Sequence, residues 1–252
     1  MNVAVEEITL VMNVNNNMKR IITDFRLFEN KESQKEFEPS EEVQKEVNHF
    51  KKKWGIELDT HFTIKEINVI SEGLEYYNTK FIKNRIDKII REDLGGVHGR
   101  WKDTEKKKWM TLNPRIFNFK RRWKDEDTNI PYALFTIVHE IAHCIDHLEK
   151  ISFSKKWQAI SGWKKCDISD KIPDGYKRYI EKRPGRKLAG HKKSGWVYKE
   201  DAQFCRKYTS RNPREDFADC LAFVILGFPD KLKGDGGQKK MEIIKELLKK
   251  ID

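Results

Sequence analysis

Asn129-Ile130-Pro131-Tyr132-Ala133-Leu134-Phe135-Thr136-Ile137-Val138-His139-Glu140-Ile141-Ala142-His143-Cys144-Ile145-Asp146 is the stretch on which the reading of this chain turns. Pro131 suits a first helical turn, with Asn129 before it as a cap. Leu134, Ile137, Val138, Ile141, Ile145 and Leu148 recur at helical spacing and predict a stripe facing a core. On such a helix, residues four apart stand one turn above each other. His139 and His143 therefore share a line, with Glu140 beside them. Two imidazoles so placed can close on one Zn²⁺, and Glu140 can take a proton from a water that the ion polarises. That arrangement hydrolyses amides. Three fixed residues make a weak pattern alone; the helical context distinguishes them from a satisfied core histidine.

A catalytic zinc site usually has three protein ligands and one open position. His147 is the nearest further candidate. It lies eight residues beyond His139, which is about 12 Å of helix rise, too far for convergence on one ion. It reads instead as a cation near the helix C-terminus. A Gly turn followed by a third His, as metzincins use, is missing at the required spacing. The stronger candidate is Asn212-Pro213-Arg214-Glu215-Asp216-Phe217-Ala218-Asp219. Asn212 is a cap and Pro213 a first-turn residue. Phe217, Ala218, Leu221, Val224 and Ile225 form an apolar stripe, and Gly227 and Pro229 stop the helix. Glu215 and Asp219 lie four apart and face one way. Spacing leaves two readings of Glu215 open, metal ligand or partner of Asn212 in a capping box. Asp219 can orient a ligating histidine by accepting its second ring proton.

The two segments together, His139-Glu140-Ile141-Ala142-His143-Cys144-Ile145-Asp146 and Glu215-Asp216-Phe217-Ala218-Asp219, resemble the gluzincin peptidases of the anthrax lethal factor catalytic domain type. The Mlc-titration-factor peptidases carry a similar pairing. The resemblance implies that Glu215 is the third zinc ligand and that Asp219 and Asp146 stand behind the ligands. It also implies that Tyr208, seven residues before Glu215, donates its phenol proton to the developing oxyanion. It covers roughly residues 95–227, and strongly only the two helical motifs. The gap from His143 to Glu215 is longer than these families normally have.

The chain has 252 residues, 38% hydrophobic and 36% charged, with a net charge of +11. That predicts a soluble, rather polar protein with a modest core. No run of 18 apolar residues predicts a membrane span. Residues 1–7 lack the basic and apolar regions of a secretory signal. Cys144, Cys166, Cys205 and Cys220 make no zinc-ribbon or C-x-x-C spacing, so they read as reduced thiols. The expected location is cytoplasmic, or exported without a standard signal. Residues 171–200 hold ten Lys and Arg against three acids, with Pro184-Gly185, Gly190 and Gly195. They read as a loop-rich basic segment: a solvated surface, or a collar for acidic substrates or nucleic acid.

Residues 1–60 are expected to be an N-terminal extension, partly helical, and 61–252 a zincin-like metallopeptidase domain. Ile8 to Val14 suggests a strand and Asn30 to Gln34 a loop. Ser40 starts a helix that ends near Gly55. Thr63 and Glu66 form a capping box. Ile64, Ile67, Ile70, Leu74 and Tyr77 begin a helical stripe that Phe81, Ile82, Ile86 and Ile89 extend to Asp93, with a break near Asn78, and Gly95-Gly96 after it. Val97 to Trp101 and Trp109 to Leu112 are strand candidates. The second fits an edge strand to which a substrate backbone adds, with Met110 and Leu112 touching it. Met241 to Ile251 reads as an amphipathic helix packed on the domain.

The expected fold is α+β and helix-rich: a zincin-like lobe with a small mixed sheet and an active-site helix, followed by a mainly helical lobe. The expected activity is a zinc peptidase, probing peptides or proteins with one Zn²⁺ per chain on His139, His143 and Glu215. Glu140 is the general base and Tyr208 the oxyanion donor. Two rivals stay open. One is a basic nucleic-acid-associated protein acting through 171–200, with a tethered or degenerate zincin site. The other is a protein that binds zinc for stability only.

Overall fold

The computed structural model describes residues 38–83, 85–104, 107–120, 129–181 and 192–251. The strand expected at 8–14 and the loop at 30–34 lie outside them. Helix α1 (Glu41–Trp54) has acids at its positive end and Lys51, Lys52 and Lys53 in its last turn, as the helix dipole favours. It buries Val47, Phe50 and Trp54. A two-residue strand, β1 (Glu57–Leu58), follows. Both lie in the compact unit Glu41–Asp252, which also contains the two histidines. Helix α2 (Ile64–Glu75) starts with the expected capping box: the Thr63 hydroxyl accepts from Glu66 N–H, and Glu66 Oε2 accepts from Thr63 N–H. A cap of this kind contributes about 0.5–2 kcal/mol. Gly73 lets α2 approach the next long helix closely. A Cβ there would stand 2.6 Å from the Ile137 side chain.

The helical stripe does not run on to Asp93. A single turn, α3 (Thr79–Ile82), is followed by strand β2 (Lys88–Arg91). Ile86 and Ile89 fit a helix face and a strand face equally, and β-branched Ile89-Ile90 gains two strand partners here, which local periodicity does not register. Strands β3 (Gly99–Thr104) and β4 (Lys107–Leu112) fall on the two expected strand segments. The mixed sheet has the order β1-β2-β4-β3, with β3 antiparallel to β4 and the other pairs parallel. β4 is therefore interior, and β3 is at the end of the order among the described residues. This corrects the edge role expected of 109–113. Met110 and Leu112 are fully buried in the core and offer no surface to a substrate.

Helix α4 (Tyr132–Glu149) carries the H-E-x-x-H motif and is buried along nearly its whole length. Pro131, not Asn129, holds its N-cap position, with no side-chain cap bond; Asn129 sits in the left-handed region at φ 44°. The Tyr77 hydroxyl donates to Val138 O, tying α2 to α4. After α4 the chain forms α5 (Lys155–Ser161) and then a three-stranded antiparallel sheet of β5 (Lys164–Lys165), β6 (Tyr176–Glu181) and β7 (Lys192–Lys199), in the order β5-β7-β6. The second half is thus less purely helical than expected. The basic segment is largely this hairpin, and residues 182–191 lie outside the described part. Helix α6 (Pro213–Ile225) has Asn212 as cap, accepting from Arg214 N–H and Glu215 N–H. Helix α7 (Gly234–Ile251) closes the chain. The fold is α+β, with α2, α4, α6 and α7 contributing to one core. No helix among the described residues is long and apolar enough to cross a membrane.

Candidate functional site

Helices α4 and α6 pack together and bring the two sequence motifs face to face. His139 and His143 stand one turn apart on α4, with ring centroids 4.6 Å apart and planes at 88°. Both turn Nε2 toward Glu215 of α6: Glu215 Oε2 lies 3.3 Å from His139 Nε2 and 3.5 Å from His143 Nε2. These three atoms, which could hold a metal ion, all lie within 4.8 Å of one another. Asn212 caps α6 with its own side chain while the Glu215 carboxylate points at the histidines. Capping and ligation were alternatives for Glu215 on spacing alone, and here the cap does without its side chain.

Hydrogen bonding behind these residues is uneven. His139 Nδ1 donates to Asp219 Oδ1 at 2.7 Å, which fixes the ring with Nε2 turned toward Glu215. Asp219 is fully buried and also accepts from Arg206 Nε at 2.5 Å, Arg206 Nη2 at 2.6 Å and Thr209 Oγ1 at 3.2 Å. By contrast, His143 Nδ1 is buried without a hydrogen-bond partner, and Glu215 Oε2 meets the two imidazole nitrogens at distances beyond those of the Asp219 bonds. A buried carboxylate held there needs positive charge beside it, either protons on the imidazoles or a metal ion between them. Two nitrogens and one carboxylate oxygen are a donor set that suits Zn²⁺. The residues present fit such an ion.

The electrostatics agree with this. Burial opposes charge on His139, but Asp219 and Glu215 outweigh it and push its pKa up to about 10. Burial also opposes the Glu215 carboxylate, but His139 and His143 hold it well below the ordinary range. A proton and a metal ion thus compete for the same lone pairs. Glu140 differs: burial raises its pKa, and the two histidines only partly offset that. Strand β3 passes directly over it. The backbone N–H of Trp101 bonds its carboxylate, and a Cβ on Gly99 would stand 2.6 Å from its Cγ and Oε1. Only a residue without a side chain fits between this strand and Glu140.

Other expected site residues fall in different places. Tyr208 is half-buried on a short 3-10 turn before α6, near enough to Glu215 that burial, then that charge, pushes its phenol up. Its hydroxyl accepts from Arg211 Nη1 at 2.8 Å, which keeps its own proton for another acceptor. The Arg206 guanidinium lies 4.8 Å from its ring centroid. Asp146 does not stand behind a histidine. Its oxygens accept from Ser152 N–H at 2.7 Å and Ser152 Oγ at 2.6 Å, tying off the turn after α4, with Arg214 Nε at 3.8 Å. His147 leaves the site and lies 3.1 Å from Asp103 Oδ2 of β3. Arg178 of the basic segment is buried and donates to Cys166 O, Asp167 O and Ile168 O. Sequence reasoning missed Arg206, Thr209 and Gly99. Each acts across a turn or from another strand, where no periodicity signals it.

No protein-family model matches the chain, and no curated protein matches it. Among solved structures, one from Bacteroides caccae, provisionally named a zinc-binding metallo-peptidase, aligns with 85% of this chain and 88% of its own. The two are 15% identical, with a TM-score of 0.42.

Proposed function

We propose that this chain is a zinc peptidase of the gluzincin type, with His139 Nε2, His143 Nε2 and Glu215 Oε2 as its metal ligands. The observation that carries this reading is the convergence of those three atoms within 4.8 Å of one another. Bound there, Zn²⁺ would supply Lewis acidity toward a peptide carbonyl and the attacking water. Asp219, backed by Arg206 and Thr209, keeps His139 in the tautomer whose Nε2 can ligate. Glu140 receives the water's proton on a carboxylate oxygen and passes it to the departing amide nitrogen. Its raised pKa suits a group that must first take that proton and then give it up. Tyr208 donates its phenol proton to the carbonyl oxygen as charge gathers there. Strand β3, at the end of the sheet order among the described residues and beside Glu140, is the sheet position to which an extended peptide would add.

The test is zinc content measured side by side on the wild-type chain and on Glu215→Ala. Near one zinc per chain, lost or much weakened in the variant, supports the three-ligand site. Zinc retained by the variant removes Glu215 from it. No zinc in the reconstituted wild type sinks the reading and moves attention to nucleic-acid binding through 171–200, for which steeply salt-dependent DNA affinity is the measurement.

A further inference from the structure

Four cysteines are free, and two of them meet: Cys205 Sγ lies 3.9 Å from Cys220 Sγ. Cys144 and Cys166 are engaged elsewhere, with Arg85 O and with Arg178. The position of the meeting pair is what gives it interest. Cys205 immediately precedes Arg206, and Cys220 immediately follows Asp219, so the two sulfurs flank the ion pair behind His139. Thr209 Oγ1 bridges the two layers, 3.4 Å from Cys205 Sγ and 3.2 Å from Asp219 Oδ2. Cys205 is half-buried on the segment before α6, while Cys220 is buried on α6. A narrow crevice lined by Gln203, Phe204, Leu232 and Lys233 borders both sulfurs.

We propose that Cys205 and Cys220 are a reversible dithiol couple that hydrogen peroxide converts to a disulfide, fastening the segment that carries Arg206 and Tyr208 onto the helix that carries Glu215 and Asp219. The effect on the metal rests on the zinc reading above; the bond itself does not. Cys205, the more accessible sulfur, attacks the peroxide as thiolate. The O–O bond breaks, one oxygen stays on Cys205 as sulfenic acid, and hydroxide leaves. Burial pushes the Cys220 thiol well above its ordinary range, so it acts second. Its sulfur attacks Cys205 sulfur, the S–S bond forms, the S–O bond breaks, and water departs with the Cys220 proton. Two thiols are oxidised and one peroxide is reduced to two waters. The sulfurs need to close from 3.9 Å to about 2.05 Å, a movement within reach of a loop residue meeting a helix.

The experiment exposes the full, zinc-loaded chain to hydrogen peroxide, then reads intact mass, the peptide map and zinc transfer to a colorimetric chelator. The expected result is a loss of two hydrogens, with the peptides of Cys205 and Cys220 linked and dithiothreitol reversing the link. Zinc transfer from the linked chain should be several-fold slower, and Cys205→Ser should neither link nor slow. Oxygen added to Cys205 without a link, a link to another cysteine or chain, or transfer as fast as before would overturn the proposal. If the chain binds no zinc in either state, the metal reading fails but the strap is still decided by thermal unfolding. A Tm of the linked chain above that of the reduced chain supports it, and one at or below it does not.

Discussion

Glu215 and Asp216 are adjacent on α6, and each is a carboxylate taken out of water, yet their surroundings differ in kind. Asp216 is completely satisfied. Its oxygens accept from Lys240 Nζ at 2.8 Å and Trp163 Nε1 at 3.1 Å, and Lys240 also donates to Gln203 O. Lys240 is itself buried, so this pair ties α7 to α6. Glu215 faces the other way, and its Oε2 meets the Nε2 atoms of His139 and His143 at 3.3 and 3.5 Å. Asp216 is closed off by a lysine that holds its charge permanently, whereas Glu215 faces two imidazoles whose nitrogens can carry either a proton or a metal ion. The difference separates a structural ion pair from a candidate metal site on the same helix.

The contrast can be broken from either side. The largest effect is expected at the reacting group itself: Glu140→Gln should lower hydrolysis of a labelled unstructured protein by about 10²–10⁴-fold. Zinc content should stay unchanged. A variant that cleaves normally removes Glu140 from the chemistry.

On the structural side, Lys240→Met leaves Asp216 buried without its cation, at a cost of about 3–5 kcal/mol. Chemical denaturation should show that loss, while the folded fraction keeps its zinc. Metal loss without destabilisation would mean that the two faces of α6 are not separate.

A smaller effect is expected behind the ligand. Asp219→Asn removes the charge that orients His139 and should weaken zinc affinity about 10–100-fold, read by competition with a chelator of known affinity. Unchanged affinity would make the Asp219–His139 bond a packing feature only.

The mildest test is pH. His139 has an ordinary pKa of 6.5 and is pushed up to about 10 in the folded, metal-free chain. A raised pKa means that the folded state holds the proton more tightly. Its contribution is therefore fully present below pH 6.5 and disappears as pH rises through about 10. Thermal unfolding of the chelated chain should show Tm falling across that window, with a shallower fall once zinc occupies the lone pairs. A chelated chain that gains stability on the alkaline side would contradict the assigned pairing of His139 with Asp219.

How much of this was legible beforehand depended on the range of the interaction involved. The α2 capping box, the Asn212-Pro213 start of α6 and the line of His139 and His143 are all set within four residues. Local sterics and hydrogen bonding decide such features, and they read directly from spacing. In the stretch 86–91, Ile86 and Ile89 suit both periods, and only pairing with β1 and β4 selects a strand. Asp146 and the pair Met110 and Leu112 were placed by analogy and by strand pattern. Their true neighbours, Ser152 and the core, depend on how the chain turns and which strand lies at the sheet edge.

The sequence by itself therefore determined the helix bearing two histidines and a glutamate, and a second capped helix bearing two acids in line. Only the tertiary structure decided that α4 and α6 face each other, so that Glu215 reaches the histidines and Asp219 sits behind one of them. It also decided that Arg206, Thr209 and Gly99 belong to the site. Such contacts join residues far apart in the chain, and their geometry follows from packing α4 against α6 and β3, which no local pattern encodes.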